Sequence, residues 1–124
     1  MPVAPYHRVF ADLGGIPASR LSDPQELAGL LIAAANAVGL NPAAPPVVQA
    51  SPTGVAAALV CHGGHVVLHA LPGDGLCFAD VAGIGAVHAQ RALDILIKRL
   101  GEREVRTDSR RRGPVTQLNN PEGK

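Results

Sequence analysis

The stretch GVAAALVCHGGHVVLHALPGDGLCFADVAGIG, residues 54–85, decides how the chain folds. Three short aliphatic runs, Gly54 to Cys61, His65 to Leu71 and Leu76 to Ala82, are separated by His62-Gly63-Gly64 and Pro72-Gly73-Asp74-Gly75. Glycine and proline cluster where a chain reverses, so the pattern predicts an antiparallel meander. A turn over residues 72–75 pairs Leu71 with Leu76, and hence His69 with Phe78 and Val67 with Asp80. Alternation then sorts the side chains. One face carries Val66, Leu68, Ala70, Cys77, Ala79 and Val81, all apolar and suited to lie beneath helices. The other is mixed: His65, Val67, His69, Leu71, Phe78 and Asp80. A sheet covered by helices on one side needs water, a ligand or another subunit on the other, so function is sought on the mixed face.

Outward from the meander, Asp23-Pro24-Gln25-Glu26 supplies an N-cap oxygen, a first-turn proline and a capping-box glutamate, predicting a helix over 23–38 that Gly39 ends. Leu27, Leu30, Leu31, Ala34 and Val38 form its apolar stripe. Ala89, Leu93, Leu96, Ile97 and Leu100 do the same for a second helix over 86–100, stopped by Gly101. Further strands are predicted at Tyr6 to Asp12, Pro46 to Ser51 and Glu104 to Asp108. The order β, α, several β, α, β gives an α+β domain, an antiparallel sheet backed by two helices, over residues 1–108. Residues 109–124 read as a flexible Arg-rich tail beginning at Ser109-Arg110-Arg111-Arg112.

Composition excludes several classes. At 124 residues only one core can be built. A formal charge of +1 gives no global field toward nucleic acid or membrane, and Tyr6, Phe10 and Phe78 are too few aromatics for a base-stacking platform. Residues 98–112 carry seven basic side chains against three acidic ones, read either as a phosphate or acidic-partner patch or as a solvated helix end. The run Leu27 to Ala35 falls short of the roughly 20 residues that cross a bilayer, and the first residues lack a signal-peptide pattern. Cys61 and Cys77 lack C-x-x-C spacing. A cytoplasmic protein without nucleic-acid or membrane partners is expected.

In one register, the chain shows His7 to Asp12-Leu13-x-Gly15, Leu21-x-Asp23, Ser51-Pro52-x-Gly54-Val55, then His65, His69, Pro72, Gly75, Asp80-Val81 and Gly85. This ordered set, across residues 7–108, resembles the bacterial S-adenosylmethionine decarboxylase family, small pyruvoyl enzymes of polyamine synthesis. The resemblance implies a Glu-Ser-His stretch that self-cleaves before its serine, which becomes the pyruvoyl group that holds the substrate amine. Here that stretch reads Gly63-Gly64-His65, so the pyruvoyl position is Gly64, which has no Oγ. The family's hydroxyl residue, proton-donating cysteine, tryptophan and following acidic residue fall on Ala56, Ile84, Leu71 and Gly73. A divergent member without a pyruvoyl cofactor is therefore expected. Cys61 as a substitute nucleophile lies on a strand three residues upstream and reads as structural.

For the remaining chemistry, His69 and Asp80 are the catalytic candidates, an imidazole and the carboxylate that orients it, against the alternative of a sheet histidine satisfied structurally. His65, Val67 and Phe78 are the substrate-binding candidates. Metal is not expected: at about 3.3 Å per residue, His65 and His69 stand roughly 13 Å apart on one strand. His62 and His65 make only two ligands. The expected function is a repurposed enzyme acting on an amino-acid or nucleoside-like small molecule as a homodimer. Its alternatives are an inactive homologue that partners or regulates a decarboxylase paralogue, and a decarboxylase with unusual processing.

Overall fold

The computed structural model describes residues 6–84, 88–101 and 104–112. Strand β1 (Tyr6–Gly14) leads through a one-turn helix α1 (Ala18–Leu21) into helix α2 (Pro24–Ala37). Strands β2 (Val47–Ser51), β3 (Gly54–Cys61), β4 (Gly64–Leu71) and β5 (Leu76–Ile84) follow, then helix α3 (Ala89–Leu100) and strand β6 (Glu104–Arg112). All six strands form one antiparallel sheet in the order β2-β3-β4-β5-β1-β6. The α+β architecture is the one the meander implied.

The register is also as read: Leu71 faces Leu76, His69 faces Phe78 and Val67 faces Asp80. The reversal is a single 3-10 turn, Pro72–Asp74, closed by Gly75 in the left-handed region at φ 65°. Val66, Leu68, Ala70, Cys77, Ala79 and Val81 are all buried. Val9, Ala11 and Leu13 extend the same face onto β1, which lies between β5 and β6. Helix α2 packs over β2, β3 and β4, α3 over β1 and β5, and the two helices touch each other. No aromatic side chain enters this core; Leu27, Leu31, Leu59, Leu68, Leu93 and Leu96 fill it.

Local signals set the helix ends. Asp23 Oδ1 accepts from the Gln25 amide at 2.9 Å and the Glu26 amide at 3.5 Å, while no return bond from the Glu26 side chain completes a box. Gly39 and Gly101, at φ 76° and 69°, take the left-handed conformation that stops each helix.

Three expectations need correction. Helix α1 was not foreseen, because four residues carry no usable periodicity. Helix α3 begins at Ala89, with His88 outside it, and residues 85–87 lie outside the described residues. The Arg-rich stretch 109–112 is not tail: β6 continues to Arg112, pairing with Tyr6 of β1. An arginine run resembles a solvated segment, but an edge strand tolerates it because only its backbone must pair. The rest of the expected tail, 113–124, lies outside the described residues. No described helix is long and apolar enough to cross a membrane.

Leu68 is fully buried beneath the helices whereas Val67, its neighbour, is half-exposed on the other face. Leu68→Ala should cost about 2–5 kcal/mol in urea unfolding, and Val67→Ala under about 1.5 kcal/mol. Similar losses would contradict the assignment of faces.

Candidate functional site

Three central strands supply the outer face. From β4 come His65, Val67 and His69; from β5, Phe78 and Asp80. Strand β1 adds Arg8, Phe10 and Asp12, because its register sets Arg8 against Ala82, Phe10 against Asp80 and Asp12 against Phe78. Asp80 thus sits between Val67 and Phe10, with charged neighbours on the diagonals.

Arg8 dominates the electrostatics. Its Nε donates to Asp80 Oδ2 at 2.9 Å and its Nη2 lies 2.7 Å from the same oxygen, a charge-assisted hydrogen bond within an ion pair. The hydrogen bond and charge of Asp80 raise the Arg8 pKa above its ordinary value. The guanidinium carbon lies 4.8 Å from the Phe10 ring centre, a cation–π contact that helps fix the head group. The other carboxylate oxygen, Oδ1, lies 3.4 Å from His65 Nε2, long for a hydrogen bond and weaker than the arginine contacts. Ala82, flanked by Arg8 and His65, is fully buried although it belongs to the outer face.

The site residues therefore divide. His65, Val67 and Asp80 come together, but His69 and Asp80 do not form the anticipated hydrogen-bonded pair. The reason is geometric: Val67, not His69, faces Asp80, and Arg8 from the neighbouring strand β1 takes Oδ2. His69 is exposed beside Phe78, itself 41% exposed, and accepts or donates no hydrogen bond among the described residues. Arg8 and Phe10 escaped sequence reading. They alternate correctly on a predicted strand, but nothing local says which strand β1 will join.

Position 64 is of a different kind. Gly64 opens β4 between Cys61 and Gly83. A Cβ placed there would overlap the backbone oxygen of Ala82, lie 2.9 Å from Leu40 Cδ2 and 3.0 Å from Gly83 Cα. The overlap is with backbone, which cannot swing aside as a flexible side chain can. No thiol stands in for a hydroxyl: Cys77 is fully buried with its pKa pushed up to about 12 by desolvation, and burial raises that of Cys61 as well. Among the described residues no three His, Cys, Asp or Glu side chains converge as a metal site.

The family model for S-adenosylmethionine decarboxylase matches residues 7–113. The chain belongs to the S-adenosylmethionine decarboxylase family. A solved relative, the adenosylmethionine decarboxylase from Aquifex aeolicus VF5, matches at a TM-score of 0.81 and 25% identity, covering 97% of this chain and 99% of that one. No curated protein matches the sequence. The match takes in every strand except the first residue of β1, and both long helices, so the outer face belongs to a decarboxylase-like sheet.

Because Arg8 and Asp80 are both partly solvated, Arg8→Ala should cost only about 0.5–1 kcal/mol, less in high salt, and Arg8→Lys should not recover it. Neither cysteine should react with a thiol reagent at pH 8 in the native protein, and both should react in guanidinium. The folded Cys77 thiol titrates above the unfolded one, so its contribution is intact below about pH 9 and lost as pH rises toward about 12. Alkaline unfolding between these limits, weakened in Cys77→Ala, checks the sign.

Proposed function

We propose that this chain is a pyruvoyl-free member of the S-adenosylmethionine decarboxylase family that binds a small amino-acid or nucleoside-like molecule on the outer face of its sheet. Histidine acid/base chemistry takes the place of the carbonyl cofactor. The observation that carries the reading is Gly64. Pyruvoyl formation needs a side-chain oxygen to attack the preceding carbonyl and then leave by elimination, and here there is neither the oxygen nor room for the carbon that would bear it. The residues present do not fit the group.

Asp80 orients His65 rather than His69 in this reading. His65 is then the imidazole nearest the carboxylate and His69 the one exposed to a bound molecule, with Val67 between them and Phe78 opposite His69 as the apolar floor. Arg8 acts as a positioning residue through Asp80.

Four of the exposed large apolar side chains, Val47, Val60, Phe78 and Ile84, share this face by register. They support a homodimer with sheets face to face, which would enclose the ligand site. The second reading, an inactive partner of a decarboxylase paralogue, is favoured by the commitment of Asp80 to Arg8, which among the described residues leaves His69 without an orienting group.

Gly64→Ser should remain a single chain by mass and lose about 1–3 kcal/mol of stability from the crowded strand start. Two fragments from this variant would contradict the crowding at position 64, and two fragments from the wild-type chain would overturn the reading. His69→Ala should fold normally and abolish turnover of the repurposed enzyme. If the protein alone turns over no amino-acid or nucleoside substrate but changes a decarboxylase's rate on mixing, the partner reading replaces it.

A further inference from the structure

The sheet-face reading leaves the outer side of the helix layer without a role. Residues 27–37 of α2, LAGLLIAAANA, hold no charged side chain, whereas α3 exposes Gln90, Arg91, Asp94, Lys98 and Arg99. A helix apolar on all sides is ordinarily enclosed. Yet Gly29, Ile32, Asn36 and Ala37 are exposed.

Between α2 and α3 runs a groove of about 880 Å³. Gly29, Ala33 and Ala37 line it four residues apart on one side of α2, a strip about 12 Å long. A Cβ at Gly29 would meet nothing within 4 Å, so the bed is open rather than tightly packed. Ile95 of α3 forms the facing wall. Small residues make a hollow that accepts large side chains. Two strips of small residues can pack closely on each other, so shape alone does not choose the occupant, but two copies would bring like-charged rims together.

Charge narrows the partner further. Arg20, Lys98 and Arg99 line the groove against one carboxylate, Glu26. Arg20 Nη1 donates to the Arg99 carbonyl at 2.9 Å, which anchors its head at the end of α3. Among the described residues none of these four side chains forms an ion pair. The groove is thus an apolar trough with an unmatched positive rim.

We propose that this groove docks an amphipathic helix of a partner protein, with large aliphatic side chains seated on the Gly29–Ala33–Ala37 strip and acidic side chains facing Arg20, Lys98 and Arg99. The mode is helix-in-groove recognition: apolar anchors supply affinity and the charged flank selects the partner. It is independent of the chemistry of the sheet face.

The test is an NMR titration of the full chain with two synthetic helical peptides, identical in leucines at i, i+3, i+4 and i+7, one filled out with glutamate and the other with lysine. The glutamate peptide should shift the amides of Gly29, Ala33, Ala37 and Ile95, leave those of His65, Phe78 and Asp80 unmoved, and bind at least about tenfold tighter than the lysine peptide, a margin that shrinks with added salt. Gly29→Gln, whose Cβ would meet no atom within 4 Å and whose longer side chain would fill the bed, should abolish binding while keeping the native circular dichroism. The double variant Lys98→Glu, Arg99→Glu should reverse the peptide preference. No shift along α2, equal binding of both peptides, or shifts on the sheet face would overturn the proposal. So would concentration-dependent shifts at Gly29 and Ala33 without peptide, which would make a second copy the occupant.

Discussion

The shared register of β1, β4 and β5 is the constraint on which the rest of the molecule depends. Because successive strand residues point to opposite faces, pairing Val67 with Asp80 sends Val66, Leu68 and Val81 to the helices and, in the same step, sends His65, His69 and Asp80 away from them. A slip of one residue would bury two histidines and a carboxylate without partners, at a cost of several kcal/mol for the charge alone. Core and candidate site are two sides of one ladder.

The same ladder fixes the surroundings of position 64, on which the proposed pyruvoyl-free reading rests. Strands β4 and β5 approach so closely at Gly64 that the Ala82 oxygen occupies the place a side chain would need. A side chain at position 64 would therefore need the backbone around it to move, not merely a hydroxyl to be added. Polar side chains gather one residue on, where His65, Asp80 and Arg8 meet on the open face.

The meander was legible in residues 54–85 because glycine and proline fall at both reversals and the apolar side chains alternate between them, and the two long helices were legible through Asp23, Gly39 and Gly101. Less visible was where β1 would sit. Its pairing with β5 joins residues about seventy positions apart, and no local periodicity encodes a contact of that range. That single omission misassigned the partner of Asp80, since Arg8 arrives from β1. It also hid the length of β6, whose arginines resemble a solvated tail until β1 offers them a strand to pair with.

Whether the polypeptide ever makes an electrophile of its own is answered most directly by the intact mass of the purified wild-type protein, taken before and after treatment with a carbonyl-trapping hydrazide. One unmodified species at 12.7 kDa is the result required by a glycine at position 64. Two fragments, the larger gaining the mass of the hydrazide at its new amino end, would contradict it.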